Sequence, residues 1–402
     1  MNLHQTPHPM PYTGQLFAYP FRLFFMAGSV WAIVAIALWI LQFRGMISLP
    51  LGIAGLQWHA HEMIHGFTSA IIAGFLLTAM ANWTGTVAPS GERLLGLFAL
   101  WLLGRLSLLF SAGIPDGVLI ASALAFYLAL AAYAAYVLIR TGNRRNLIMP
   151  LVIVLLAVSV GWLLHAALQG EVAGVRAAEK MALYLITLLM VIIAGRITPA
   201  FTGNWLRQTG RSSQPIRRFV VLEVGGVIAL LALAVSDVLR ANNSVIAALA
   251  LLAGSIHLLR LVSWQGWRVV GNPLLLVLHL GYLAVVASLF MRAGVVFAPH
   301  WGLSAWFHML GVGAMGILII GVMTRVSMGH TGRALTLPWL GLAAYGAVIA
   351  ALMARMVTVL APGPSYHSWL IASASLWAAA FALFLIGYGR ILLSRRADGK
   401  PG

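Results

Sequence analysis

About twelve long apolar stretches run through the 402-residue chain, and they constrain its fold more than any other feature. Each has roughly 20 residues, the length that an α-helix needs to cross about 30 Å of hydrocarbon. Charged residues make up only 8% of the chain, whereas soluble domains have roughly a quarter. We therefore predict an all-α, polytopic membrane helix bundle that forms a single transmembrane domain over residues 1–402.

The predicted spans are good to a few residues: 22–43, 57–82, 93–112, 117–139, 148–169, 178–200, 217–239, 244–262, 272–292, 301–325, 337–360 and 368–394. An even number of spans places both termini on one side of the membrane. Arginines follow helices four, six, eight, ten and twelve, so the positive-inside rule predicts that both termini are cytoplasmic. These loops explain the net charge of +17, and we expect no nucleic-acid partner.

The chain contains no cysteine, so any metal site must use His, Met, Tyr or carboxylate ligands. The densest group is WHAHEMIH, residues 58–65, near the outer end of the second predicted helix. His61 and His65 are four residues apart and share a helical face, Glu62 lies within reach of His65, and His59 points elsewhere. We interpret the group as metal ligands; interfacial histidines bonded to water or headgroups are the alternative. His61, Glu62 and His65 also match H-E-x-x-H, the zinc-protease pattern.

Other histidines lie at matching depths in the predicted helices. His65 and His308 lie roughly 12 and 10 Å below the outer ends of helices two and ten, and such a pair could hold a haem or a copper ion. His257 and His279 both lie roughly 8 to 10 Å from the cytoplasmic surface, which predicts either a second metal centre or interhelical hydrogen bonds. His330 belongs to a loop, where a solvated role is the default, and we also include it among the candidate metal ligands.

Charged residues near the helix ends have two readings each. Arg22, Arg105 and Arg325 could extend their side chains to the interface or bind haem propionates. Glu62 and Glu179 fall toward the outer side of the membrane, where carboxylates near a reduction site could deliver protons. We hypothesise that role for both.

A short repeat connects three helices. The sequence IIAG at 71–74 recurs at 192–195 and, more loosely, at 319–321. A histidine and a glycine precede the first and third copies with the same spacing; they are His61 and Gly66, and His308 and Gly313. The pattern predicts three tandem four-helix units, a plan resembling that of haem–copper oxidases, unless chance similarity among small and aliphatic residues explains it.

With these motifs assembled, the chain resembles the NnrS family, membrane proteins that contain haem and copper and take part in the response to nitric oxide in denitrifying and related bacteria. The resemblance covers essentially the whole chain. Its carriers are PFR at 20–22, WHAHEM at 58–63, AGFLLT at 73–78, NWTG at 82–85, GR at 104–105, NRRN at 143–146, His257 with Arg260 and Trp267, HLGY at 279–282, and His308 with MTR at 323–325 and GHTGR at 329–333.

The resemblance implies haem, which we expect to be haem b, together with copper or a second iron. It also implies a multi-pass protein of the bacterial inner membrane that acts in denitrification or nitrosative stress. We expect it to bind nitric oxide and reduce it to nitrous oxide, with electrons from a quinol or a cytochrome. The expected ligands are His59, His61, His65 and His308, with His257 and His279 as a second centre.

Two alternatives stay open at this point. The protein could handle nitric oxide or haem and copper without catalysis, as a sensor, carrier or transporter. It could also be an intramembrane metallohydrolase that uses His61, Glu62 and His65.

Overall fold

Twelve helices make up most of the structure, a computed structural model that describes residues 14–361 and 363–400. They are α1 Pro20–Phe43, α2 Gly55–Thr84, α3 Gly91–Leu109, α4 Asp116–Arg140, α5 Ile148–Leu168, α6 Val172–Gln208, α7 Val220–Val238, α8 Asn243–Ser263, α9 Pro273–Phe297, α10 Pro299–Gly329, α11 Trp339–Leu360 and α12 Tyr366–Leu393. The described residues contain no β-strand. Eleven of the helices, all except α3, are long and apolar enough to cross a membrane. The predicted all-α, polytopic membrane fold is confirmed.

The largest difference from the predicted bounds is in α6. This helix has 37 residues and continues through Pro199 to Gln208, beyond the predicted end at residue 200. The prediction marked the apolar stretch that suits hydrocarbon, whereas the helix extends into polar residues that can still form backbone hydrogen bonds. Hydropathy therefore locates the membrane span better than the end of the helix.

Two of the helices contain a π-helical segment, Glu62–Phe67 in α2 and Met309–Met315 in α10. Each segment begins directly after a histidine of the predicted repeat, His61 or His308. Since π-helices are rare and frequent at functional sites, their matching positions strengthen the relation between helices two and ten. The second copy, at 192–195, lacks this feature, because α6 is α-helical over all of Val172–Gln208.

Side chains satisfy the carbonyl groups that the π-helical turn of α2 displaces from the α-helical pattern. Thr68 donates from Oγ1 to the carbonyl of Met63 at 2.9 Å. The carbonyl of Gly66 accepts from Oγ of Ser69 at 3.1 Å and from Nε1 of Trp101, in α3, at 3.0 Å. These bonds matter because an unpaired carbonyl in hydrocarbon costs several kcal/mol.

The described chain groups into two compact units. Unit 1 comprises residues 14–182, 325–335 and 381–400, and unit 2 comprises residues 183–324 and 336–380. The predicted single domain with cytoplasmic termini stays a prediction. Residues 1–13, 401 and 402 lie outside the described residues.

Candidate metal centre

Glu62 is the centre of a buried polar cluster in unit 1. Its side chain is fully buried at the first position of the π-helical segment, and its Oε1 lies 2.9 Å from Nδ1 of His61. Because a carboxylate accepts hydrogen bonds, Nδ1 of His61 donates, and in the neutral ring Nε2 keeps its lone pair. A carboxylate that fixes the tautomer in this way is the usual partner of a metal-binding imidazole.

The other oxygen of Glu62 has partners on two further helices. Trp31, in α1, donates from Nε1 to Oε2 at 2.6 Å, and Nε of Arg105, in α3, lies 3.4 Å from the same oxygen. Both side chains are buried, so Arg105 compensates a carboxylate charge that would otherwise be costly inside the bundle. Gly66 leaves the space for this pairing, since a Cβ there would overlap Oε2 of Glu62 and lie 2.7 Å from Nη1 of Arg105.

His65 lies on the same π-helical segment and has a different partner. Its Nδ1 is 3.1 Å from the hydroxyl of Tyr127, in α4, and both side chains are buried. The phenol therefore holds the ring of His65 in place, as Glu62 holds the ring of His61. Together, Trp31, His61, Glu62, His65, Arg105 and Tyr127 form the unit 1 cluster.

The unit 1 cluster presents two imidazole nitrogens without partners. The ring centroids of His61 and His65 are 5.4 Å apart, and Nε2 of each ring is buried with no hydrogen-bond partner. Leaving such an atom unpaired costs about 1–3 kcal/mol, and iron or copper would remove that penalty. Across residues 14–361 and 363–400, no three His, Asp or Glu side chains form a ready-made metal site. A metal bound here would therefore have two candidate ligand atoms from the protein, Nε2 of His61 and Nε2 of His65.

The other two predicted ligands of the outer site have their own surroundings. The half-buried ring of His59 stacks on Trp39, with centroids 4.9 Å apart and planes 16° from parallel. His308 belongs to unit 2, where its Nδ1 is 2.8 Å from the carbonyl oxygen of Ser304. A joint site of His65 and His308 stays a prediction, since the two residues belong to different units.

Unit 2 contains a second cluster that also combines glutamate, histidine, arginine and tyrosine: Glu223, His257, Arg260 and Tyr282, called here the unit 2 cluster. Glu223 is partly exposed and the other three are buried. Glu223, in α7, accepts from Nη2 of Arg260, in α8. Arg260 also donates from Nη1 to the hydroxyl of Tyr282, in α9, at 2.7 Å, and that hydroxyl lies 2.8 Å from Nδ1 of His257. In this cluster the carboxylate is linked to the imidazole through Arg260 and Tyr282.

Both predicted ligands of the second centre pack against glycines. A Cβ at Gly226 would lie 2.9 Å from Cε1 of His257, and one at Gly266 would lie 2.7 Å from Nδ1 of His279. Nε2 of His279 is 2.9 Å from Oγ1 of Thr202. Close backbone on one side and a hydroxyl on the other are typical of interhelical hydrogen bonding. A second metal centre here stays a prediction.

Two further predicted residues have polypeptide partners. Arg22 donates from Nη1 to the carbonyl oxygens of Leu392 and Ser394 at 2.6 and 2.7 Å, so its cation caps the C-terminal end of α12. Glu179, in α6, is buried and pairs with Arg176 at 3.0 Å. Their predicted roles toward propionates and protons stay predictions.

The remaining two predicted residues are Arg325, in the last turns of α10, and His330, which directly follows the helix. Arg325 is half-buried within the helix. His330 packs its ring against Phe21, with centroids 5.7 Å apart, and its carbonyl oxygen accepts from Arg396 at 3.0 Å. Burial and the charge of Arg396 lower the pKa of His330 below its ordinary value. Its surroundings are those of a packed loop residue.

The sequence does not single out Trp31, Tyr127, Glu223 or Tyr282 as members of these clusters. Each lies on a different helix from the cluster residue that it contacts, so no local spacing connects them. One signal was available, because a carboxylate inside a membrane helix requires a nearby cation. That rule predicts that Glu62 has a basic partner, but it does not say which one.

The fold and the imidazole pair define a class: polytopic helical membrane proteins with histidines inside a transmembrane unit. The family model described as NnrS protein matches residues 15–396. The chain therefore belongs to the NnrS family, which confirms the resemblance, and membership indicates a nitric-oxide-related membrane protein. No curated protein matches the chain.

Proposed function

We propose that this protein is a haem-containing oxidoreductase of the bacterial inner membrane that binds nitric oxide and reduces it to nitrous oxide. The observation that supports this proposal is the pair of buried, unpartnered Nε2 atoms of His61 and His65. Family membership supports the link to nitric oxide. The proposed cofactors are haem b and either copper or a second iron.

The residues of the unit 1 cluster fit such a cofactor. Neutral imidazoles suit both iron and copper, and each ring has its second nitrogen held by a side chain, Glu62 for His61 and Tyr127 for His65. Nη1 of Arg105 has no hydrogen-bond partner and could bind a propionate. When bound, haem with a second metal would supply the electron transfer and a place where two nitric oxide molecules meet.

The chain's own residues orient the ligands and exclude water. Both oxygens of Glu62 are engaged, by His61 on one side and by Trp31 and Arg105 on the other, so we propose that Glu62 mainly fixes the tautomer of His61. Proton delivery by Glu62 and by Glu179 is tested by Glu62→Gln and Glu179→Gln. Unchanged turnover in either variant would remove that residue from the proton path.

The proposed reaction balances with components that a membrane site can receive. Two nitric oxide molecules, two electrons and two protons give one nitrous oxide and one water. Nitric oxide is small and neutral, so it can reach a buried site through lipid. The electrons would come from a quinol or a cytochrome.

The same imidazole pair also fits a non-enzymatic alternative, in which the protein senses, carries or transports nitric oxide or metal, because binding requires the unpartnered Nε2 atoms but no supply of electrons. The metallohydrolase is not proposed, because a hydrolase needs the glutamate as a free base. Glu62 is instead in an ion pair with Arg105.

Optical spectroscopy of the purified, full-length protein tests the proposal. We expect a Soret band that shifts on addition of nitric oxide, and nitrous oxide production when a chemical reductant is supplied. A shifting Soret band without nitrous oxide would support the non-enzymatic alternative. A protein that retains no haem after expression with haem supplementation would contradict both.

Single variants test the ligands. His61→Ala and His65→Ala should each lose or strongly shift the Soret band, and His308→Ala tests the predicted ligand of unit 2. His330→Ala is the control. This residue lies in a loop, far in sequence from His61 and His65, and its contacts are Phe21 and Arg396. Retention of the wild-type band in His61→Ala and His65→Ala, with loss in His330→Ala, would overturn the assignment.

A further inference from the structure

Unit 2 has few carboxylates, and the structure shows that both are already engaged. Asp237, in α7, accepts from Nε and Nη2 of Arg292, in α9, at 2.6 and 2.8 Å, and from the hydroxyl of Tyr184, in α6, at 2.7 Å. Glu223 pairs with Arg260 and Arg218. Glu223 and Asp237 are the acidic residues of unit 2, so any further buried cation in this unit needs another source of negative charge.

Arg355, in α11, is such a cation. Its side chain is half-buried, and its partners in the described structure are hydroxyl groups. Nη1 donates to Oγ1 of Thr358, Nη2 donates to Oγ of Ser304 at 3.2 Å, and the phenol of Tyr366 lies beside the guanidinium. Thr358 uses its own proton on the carbonyl of Arg355 at 2.7 Å, so its oxygen can only accept from the guanidinium. None of these partners carries a negative charge.

The position of Arg355 makes this lack of charge compensation costly. Arginine remains protonated in proteins, and a charge inside a membrane helix is unfavourable unless an opposite charge or water compensates it. Arg355 lies five residues before the end of α11, roughly 7 to 8 Å along the helix. That depth is shallow enough for an anion from the interface to reach. Because Ser304 holds one arm of the guanidinium toward α10, extension of the side chain into water does not explain its position.

We propose that Arg355, oriented by Thr358, forms with Ser304 a binding site for an oxyanion of the phosphate type. A guanidinium fork matches the oxygen atoms of such an anion, and charge-assisted hydrogen bonds of this kind are among the strongest in proteins. Ser304 connects the site to His308, since the carbonyl of Ser304 is 2.8 Å from Nδ1 of that ring. The anion is either the headgroup of an acidic phospholipid or free phosphate from the outer compartment. This site does not depend on the proposed nitric-oxide chemistry.

Thermal unfolding of the full-length protein in detergent tests the site, with inorganic phosphate as the probe and chloride at equal ionic strength as the reference. We expect phosphate to raise the melting temperature by several degrees in a saturable way. A second arm compares nanodiscs of phosphatidylglycerol with nanodiscs of phosphatidylcholine. A rise with phosphate in detergent identifies a free anion, and a rise with phosphatidylglycerol alone identifies the lipid headgroup.

Arg355→Gln should abolish the rise, because it removes the charge and keeps an amide donor. Arg240→Gln is the matched control, since Arg240 is an exposed arginine of the same unit, in a loop on the same predicted side of the membrane. If Arg355→Gln does not fold, Ser304→Ala replaces it; this variant keeps the charge and should need several-fold more phosphate for a half-maximal rise. Responses equal to wild type in the folded variants, or no response to either probe in the wild type, would overturn the proposal.

Discussion

The unit 1 and unit 2 clusters use the same four residue types and connect them differently. In unit 1, the carboxylate of Glu62 bonds directly to an imidazole, and a tyrosine bonds to a second imidazole on the same helix. In unit 2, Arg260 bonds to both the carboxylate of Glu223 and the hydroxyl of Tyr282, and His257 contacts only that hydroxyl. The same inventory therefore gives two electrostatic arrangements.

The difference decides which cluster suits a metal. His61 and His65 present their free nitrogens from one π-helical segment, with ring centroids 5.4 Å apart. His257 and His279 come from two helices, and each packs against the backbone of a glycine. Nε2 of His257 and Nδ1 of His279 are also buried without hydrogen-bond partners, but they lie against the backbone of Gly226 and Gly266. We infer that unit 1 is better suited than unit 2 to hold a ligand between two imidazoles.

Removing the carboxylate charge should give the largest difference in stability between the two clusters. Glu62→Gln leaves Arg105 buried without compensation, and we expect it to lower the free energy of unfolding by about 3 kcal/mol. Glu223→Gln also removes the charge that compensates the buried Arg260, but it should cost less, about 1–2 kcal/mol, because Glu223 itself is partly exposed to solvent. Denaturant titration in mixed micelles measures both, and equal losses would contradict the comparison.

The glycine under Glu62 provides the next test. Gly66→Ala would push the carboxylate away from Arg105, and we expect a loss of about 2 kcal/mol together with a changed haem spectrum. Gly96→Ala, in α3, is the control, because a Cβ there would meet nothing within 4 Å. That variant should be neutral or more stable by up to about 1 kcal/mol. A tolerated Gly66→Ala substitution would show that the unit 1 cluster is not tightly packed.

Removal of a single tyrosine hydroxyl should cost more stability in the unit 2 cluster and should change the spectrum only in the unit 1 cluster. Tyr282→Phe leaves Arg260 and His257 without a shared partner and should cost about 2 kcal/mol with no spectral change. Tyr127→Phe removes the contact with His65 and a hydrogen bond with Ser69 and should cost about 1 kcal/mol, but it should shift the Soret band. Melting curves and absorption spectra of the two proteins check this prediction. A spectral shift in Tyr282→Phe would place the cofactor in contact with unit 2.

The smallest effect should come from a histidine outside both clusters. The pKa of His330 is lowered in the folded protein, so below its unfolded pKa, near 6.5, the unfolded state binds more protons and folding stability falls. His330→Gln should therefore lose slightly less stability than wild type between pH 8 and pH 5.5. Melting temperatures at the two pH values measure the difference. If His330→Gln lost more stability than wild type between these pH values, the prediction would be contradicted.

The π-helical segments show what a sequence repeat can predict and what it cannot. The matching spacing around His61 and His308 predicts related helices, and both helices do contain a π-helical segment at that position. The spacing did not predict the π-helix itself. A π-helical turn depends on whether other side chains satisfy its displaced carbonyl groups, as Ser69 and Trp101 do for Gly66.

The amino-acid sequence was enough to predict the helices, their approximate bounds and the family, because apolar length and local motifs are properties of neighbouring residues. It was also enough to place His61, Glu62 and His65 on one segment. The folded chain was needed to show that Trp31, Arg105 and Tyr127 complete this group, that His257 and His279 pack against glycines, and that Arg355 contacts hydroxyls instead of a carboxylate. Those contacts join distant helices, and the packing of side chains between helices, which selects them, leaves no periodic signal in the chain.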